Sequence, residues 1–269
     1  MKVAKITTQQ KNSQRYNIFS EEQGKDKYAF SVDESAIVEF GLKKGLELSD
    51  TELEAIEAFD QKRRAWNAVL HYLSFSMRTK WQVEQYLLEK EYAPAAVEEA
   101  VNRALDYKFL DDAAYAEAFV RTKINTTDKG PKIITGDLRQ KGIGPDLAEK
   151  ALRQFTKERQ IDKGIKIIQK KADRQKDAHT IFKKKMMDAL RQKGYDAEIF
   201  TIAWEEAAIV PDEEEEWERL EAHGDKILRK WEKKAEGRTL QQKVKEQLYR
   251  KGFNMQLIQR FLDQKVSGE

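Results

Sequence analysis

A five-residue string, Leu-Arg-Gln-Lys-Gly, is written twice, at 138–142 and again at 190–194. A near copy, Leu-Tyr-Arg-Lys-Gly, stands at 248–252, and a looser one, Leu-Leu-Glu-Lys-Glu, at 87–91. Each is followed at once by Ile143, Tyr195, Phe253 or Tyr92, and nine positions later by Leu152, Trp204, Leu262 or Val101. The strings end at 91, 142, 194 and 252, so the spacings are 51, 52 and 58 residues. A fixed period of this size marks a repeat architecture, in which each unit is one supersecondary element that needs its neighbours to bury its flanks.

Within one period the punctuation predicts three helices. In the second copy, Asp111 and Asp112 can open a helix that lines up Tyr115, Phe119 and Val120. Pro131 occupies a first-turn position, where its missing N–H costs nothing, and Gly142 ends that helix. Pro145 opens the third, which aligns Leu147, Ala151, Leu152 and Phe155. The residue after the glycine is expected to enter a small core. The same pattern places helices near 50–74, 79–90 and 94–107 in the first copy. It places them near 160–175, 178–193 and 196–208 in the third, and near 212–235, 239–250 and 254–265 in the fourth. Ser49 and Glu52 form a capping box ahead of the first. Glu91 replaces glycine in the first copy, so that helix must end differently.

Before the repeats the pattern is β. Short runs rich in Val, Ile, Thr, Tyr and Phe, with Gly24 in a charged turn, predict a three-stranded antiparallel sheet over about 2–32. A short helix is expected at Glu34–Phe40. The expected fold is mainly α: tandem three-helix repeats in an elongated, curved array, preceded by a small three-stranded antiparallel β-sheet. The expected divisions are a sheet domain at 1–48 and repeats at 49–108, 109–159, 160–210 and 211–269. Units of about sixty residues are marginal alone, so the repeats must support one another.

Composition removes several function classes. No stretch of eighteen apolar residues exists, the first residues carry no apolar signal segment, and cysteine is absent. This fits a cytoplasmic protein with no membrane contact; a monomer is expected because repeat arrays close their own flanks. The three histidines, His71, His179 and His223, are widely separated. No metal-binding His pair, nucleophile elbow or phosphate loop is present, and the pair Gly142–Gly144 lacks the rest of a nucleotide motif. The chain therefore reads as a non-enzyme, with no catalytic residue, metal site or cofactor. Asp111 and Asp112 read as a helix cap with a dipole partner. The aromatic residues read mostly as core.

Charge is segregated, although the net value is only +3. Residues 121–200 hold 21 Lys/Arg against 11 Asp/Glu, 201–224 hold 1 against 9, and 71–120 hold 5 against 9. Last-turn cations complement helix dipoles, which accounts for Lys141, Lys193 and Lys251 taken singly. It does not account for the crowding of Lys166, Lys170, Lys171, Arg174 and Lys183–Lys185, nor for Arg139 and Arg191 at matching places in consecutive repeats. The cations that could meet a phosphate backbone or an acidic partner are Lys129, Lys132, Arg139, Lys141, Lys171, Lys184, Arg191, Lys193, Arg250 and Lys251. The acidic run after Pro211 suits a helix start and leaves charge over for a basic partner.

The segments Phe-Leu-Asp-Asp-Ala-Ala-Tyr-Ala-Glu-Ala-Phe-Val at 109–120 and Lys-Gly-Pro-Lys-Ile-Ile-Thr-Gly-Asp-Leu-Arg-Gln-Lys-Gly-Ile at 129–143 resemble the RecX family of bacterial regulators of the RecA recombinase. Asp111, Asp112, Tyr115, Gly130 and Gly142 carry the resemblance, which is strongest over 60–156. Trp81 and Gln82 depart from the family pattern. The resemblance implies a regulator, mainly an inhibitor, that binds RecA and the RecA–DNA filament. It implies effects on strand exchange, ATP hydrolysis and filament stability, with single- or double-stranded DNA as a further contact. The alternative reading is an autonomous DNA-binding helical-repeat protein, since two short helices joined by glycine resemble a helix-turn-helix.

Overall fold

The structure is a computed structural model that describes residues 1–10, 13–210 and 212–266. It contains three strands, β1 (Val3–Thr8), β2 (Arg15–Glu22) and β3 (Lys25–Asp33), and a short helix α1 (Glu34–Glu39). Among the described residues twelve helices follow in sets of three. The first set is α2 (Asp50–Phe75), α3 (Lys80–Glu89) and α4 (Pro94–Asp106), and the second is α5 (Asp112–Thr126), α6 (Pro131–Arg139) and α7 (Pro145–Leu152). The third is α8 (Lys157–Ala172), α9 (His179–Gln192) and α10 (Ala197–Glu206), and the fourth is α11 (Glu213–Trp231), α12 (Gly237–Arg250) and α13 (Met255–Lys265). The chain divides into two compact units, Met1–Ala118 with Leu138–Ala148, and Phe119–Asp137 with Glu149 onward.

The strands form an antiparallel sheet in the order β1-β2-β3. Gln23 and Gly24 join β2 to β3 with φ of +50° and +75°, the left-handed pair that a two-residue hairpin loop requires. Val3, Ile18 and Val32 pack with Ala36, Leu42, Leu48 and Ile56. The sheet is tied to α2 by the buried Asp60, which receives Arg15 Nη2 at 3.0 Å and the Asp33 backbone N–H at 2.8 Å. Burial would raise the Asp33 carboxyl; hydrogen bonds from Ser35 and the charges of Arg63 and Arg15 outweigh it and hold the group below its usual range.

Several helix ends follow from local chemistry. Ser49 and Glu52 make the expected capping box on α2, and Thr79 with Gln82 makes a second on α3. The repeated string is the end of the middle helix in every set. Gly142, Gly194 and Gly252 have φ of +79°, +88° and +82°. The N–H of the next residue reaches back to the leucine carbonyl: Ile143 to Leu138 at 3.1 Å, Tyr195 to Leu190 at 3.0 Å and Phe253 to Leu248 at 3.4 Å. This is a Schellman ending, and it explains why leucine and a large apolar residue flank the glycine: the two side chains meet across it. Ile143, Tyr195 and Phe253 are buried. Tyr92 makes the same bond to Leu87 at 3.2 Å, and Glu91 takes the left-handed position with φ of +62°.

The first set closes its own core around Trp66, Val69, Val83, Leu87, Val97 and Val101. The fourth does so around Leu220, Val244, Leu248, Phe253, Ile258 and Phe261, and also encloses Ala178 from the third. Two helices differ from the sequence expectation. Helix α8 starts at Lys157 rather than near 160, because the Thr156 hydroxyl caps the Arg159 N–H. Helix α11 ends at Trp231 rather than near 235, where the Lys234 N–H turns back three residues to the Trp231 carbonyl. Asp212 caps α11; Pro211 lies outside the described residues.

Candidate functional site

The glycine loops do more than end helices. Each one is packed against the first turn of the middle helix one set earlier in sequence. Gly142 abuts Trp81 at the start of α3, Gly194 abuts Lys132 and Ile133 at the start of α6, and Gly252 abuts Thr180 and Ile181 at the start of α9. Hydrogen bonds fix all three contacts. The Thr79 hydroxyl donates to the Lys141 carbonyl at 2.7 Å and the Thr180 hydroxyl to the Gly252 carbonyl at 2.6 Å. The Gly130 N–H donates to the Lys193 carbonyl at 2.6 Å, and the Lys132 N–H to the Gly194 carbonyl at 3.2 Å. A Cβ on Gly130 would stand 2.6 Å from the Gly194 carbonyl carbon, so this joint needs glycine on both sides.

The joints place the sequence-predicted cations. Arg139 and Lys141, Arg191 and Lys193, and Arg250 and Lys251 flank three successive glycine loops. Arg139, Arg191, Arg250 and Lys251 are exposed, and Lys141 and Lys193 are half-buried. Several cations already face carboxylates. Lys193 meets Asp128 at 3.3 Å, Lys132 meets Asp196 at 2.5 Å, Lys129 meets Asp137 at 2.7 Å, and Arg191 meets Asp188 at 3.2 Å. Such solvent-exposed pairs contribute only about 0–1 kcal/mol, so a polyanion or an acidic surface can exchange with the carboxylates. Arg139, Lys171, Lys184, Arg250 and Lys251 have no carboxylate within salt-bridge reach among the described residues. In the basic α8–α9 segment, Lys185 pairs with Asp177 at 2.7 Å and Lys183 lies 5.6 Å from the Trp204 ring centre.

The motif residues are structural in their visible roles. Asp111 Oδ1 caps α5 by accepting the Ala114 N–H at 2.8 Å. Asp112 Oδ1 instead accepts the Lys80 N–H at 2.8 Å, serving the first turn of α3. Tyr115 is half-buried, and burial pushes its hydroxyl above the usual range despite the Arg78 charge. Burial raises Tyr195 as well; its hydroxyl has no hydrogen-bond partner among the described residues. Among the described residues no group of three or more His, Asp or Glu side chains could hold a metal ion. No helix among them is long and apolar enough to cross a membrane.

Four family models match the chain: the regulatory protein RecX N-terminal domain at 1–49, and the RecX first, second and third three-helix domains at 65–103, 111–152 and 213–262. Regulatory protein RecX of Oceanobacillus iheyensis is 39% identical over 100% of this chain and 99% of its own. The chain belongs to the RecX family. Regulatory protein RecX of Halalkalibacterium halodurans is 39% identical over 97% of this chain and 98% of its own, and that of Bacillus subtilis 36% over 97% and 98%. A crystal structure of regulatory protein RecX matches with TM-score 0.61 and 36% identity, covering 76% of this chain and 98% of that one. The crystal structure of RecX from Lactobacillus salivarius matches with TM-score 0.55 and 34% identity, covering 56% and 99%. Membership in RecX gives this chain a regulatory role.

Trp81 forms one wall of the Gly142 joint, and Gln82 completes the Thr79 capping box. The reading of the aromatics as core holds for Phe155, Phe182, Tyr195, Phe200, Trp204, Phe253 and Phe261, which are buried. It is corrected for Tyr28, Phe75, Trp81, Tyr107, Phe109 and Tyr249, which are exposed because they lie at helix ends, turns or outer faces.

Proposed function

We propose that this RecX chain regulates the RecA recombinase, mainly as an inhibitor, by binding RecA and its filament on DNA. Strand exchange, ATP hydrolysis and filament stability are the activities it modulates. The work then belongs to homologous recombination and DNA repair in the cytoplasm, where the chromosome lies. One observation carries the reading beyond family membership: a pair of cations recurs beside three successive glycine joints. A repeated positive unit suits a partner that is itself a repeating polymer with anionic groups.

The test is titration of the full chain into a RecA–single-strand ATPase assay. Inhibition is expected, and the variant R139E/K141E/R191E/K193E should inhibit roughly tenfold less well with a flatter dependence on salt. Equal inhibition by wild type and variant removes the cationic joints from the mechanism. Wild type without effect on ATP hydrolysis argues for a passive scaffold. The exposed lysines of α8 and α9 support the second reading, autonomous DNA binding. Tight, salt-sensitive binding to a labelled single strand without RecA would favour it.

A further inference from the structure

The turn between α2 and α3 holds three large apolar side chains that the fold leaves largely open to solvent, although Trp81 also packs against Gly142 with part of its surface. Phe75, Met77 and Trp81 lie within seven residues and are 71%, 54% and 43% exposed. The turn itself is fixed. Thr79 is fully buried, caps α3 with Gln82, and donates its hydroxyl to the Lys141 carbonyl. The next residue, Lys80, gives its N–H to Asp112. Large apolar groups held outward by an anchored backbone lose little entropy when a partner covers them.

Arg78 sits in the same turn. Its guanidinium lies 4.6 Å from the centre of the Tyr72 ring, and Tyr72 stacks on Tyr86 at 4.1 Å, so the cation is oriented by packing. Among the described residues its buried Nε has no hydrogen-bond partner and no carboxylate reaches the group. A planar guanidinium matches a carboxylate with two parallel bonds through its terminal nitrogens. An arginine beside exposed Trp and Phe is also the composition of a binding hot spot.

We propose that the α2–α3 turn docks a short acidic–apolar segment of a partner protein. Arg78 receives an Asp or Glu carboxylate, while Phe75, Met77 and Trp81 cover the neighbouring apolar side chain. The local charge favours protein over nucleic acid. Residues 71–120 hold 5 Lys/Arg against 9 Asp/Glu, and Glu84, Asp111 and Asp112 stand on the adjoining segments. That field opposes a run of phosphates and tolerates one carboxylate with an apolar companion.

The identity of the partner as RecA rests on the function proposed above, and the experiment separates the two. Full-length wild type, F75S/M77S, R78Q and a control V38S, which alters an exposed valine elsewhere, are compared for binding to immobilised RecA and RecA–single-strand filaments. The same proteins are tested on the bare single strand. Melting curves establish that each variant is folded, and the two sets of substitutions probe the surface independently. The expected result is at least about tenfold weaker binding to RecA by F75S/M77S and by R78Q, with V38S and all bare-strand affinities unchanged. Variants that hold RecA as wild type does overturn the docking surface and leave the proposed function standing. Loss confined to the bare strand makes the turn a nucleic-acid contact and overturns the protein partner. Wild type that binds no RecA overturns both.

Discussion

Gly142, with a backbone φ of +79°, lies against the side chain of Trp81, and a Cβ added to it would overlap the Trp81 Cβ. A residue chosen to end one helix therefore also makes room for the start of another. Gly142→Ala should be destabilised twice, by about 1–2 kcal/mol for the left-handed backbone and further by the displaced indole. Gly136→Ala is the control. Gly136 lies inside α6 with nothing within 4 Å of an added Cβ, and alanine there should stabilise by about 0.5–1 kcal/mol. Urea unfolding of both variants checks the contrast; equal midpoints would remove the joint from the account.

Glu91 supplies the opposite case. It holds the left-handed position that glycine holds in the other three strings, with φ of +62°, and it is exposed. It ends the middle helix of the first set, and its exposed position leaves room for a side chain. Glu91→Gly should relieve the strained backbone and stabilise the protein by up to about 1 kcal/mol. A fall in the unfolding midpoint would show that the Glu91 side chain holds the turn by itself.

These two positions show what a sequence can reveal. The Leu-x-x-Lys-Gly string with its apolar successor encodes a hydrogen-bonded ending whose partners lie within six residues, so helices α3, α6, α9 and α12 were legible. The β2–β3 hairpin was legible for the same local reason. The pressing of Gly142 on Trp81 was not, because it joins residues about sixty positions apart and leaves no periodic trace. The ion pairs of Lys132 and Lys193 share that limit: charge segregation marks a basic segment but does not reveal which cations already face a carboxylate. Exposed aromatics such as Phe75 escaped because apolar periodicity assigns a side chain to a stripe, and a stripe can run past the end of the core.

Asp111 and Asp112 are neighbours with separate duties, and mutation should tell them apart. Asp111→Ala removes the N-cap of α5, a loss of about 1 kcal/mol. Asp112→Ala leaves the Lys80 N–H without its acceptor and loosens the turn before α3, for about 1–2 kcal/mol. Hydrogen exchange separates them: protection should fall at Ala114 in the first variant and at Lys80 in the second. The same site losing protection in both variants would show that the two carboxylates act as one cap.

The junction between the third and fourth sets should respond to mild acid through His179. Its backbone N–H donates to the buried Glu216 carboxylate at 3.1 Å, and its ring lies 5.5 Å from the centre of Trp204. Burial lowers the imidazole below its ordinary value; Glu216 opposes this, and the charges of Lys183 and Arg219 reinforce it. The unfolded ring, titrating near 6.5, therefore takes up its proton before the folded ring does. Stability is complete above that value, falls as pH drops through it, and levels off once the folded ring is also charged. The carboxyls held low, Asp33, Glu52, Glu158 and Glu246, have ordinary values of 3.8 to 4.5 and keep their contribution until the pH is lower still. Unfolding midpoints measured at about pH 7.5, 6.5 and 5.5 should decline in wild type and decline less in H179Q. Parallel slopes in the two proteins would assign the acid sensitivity to some other group.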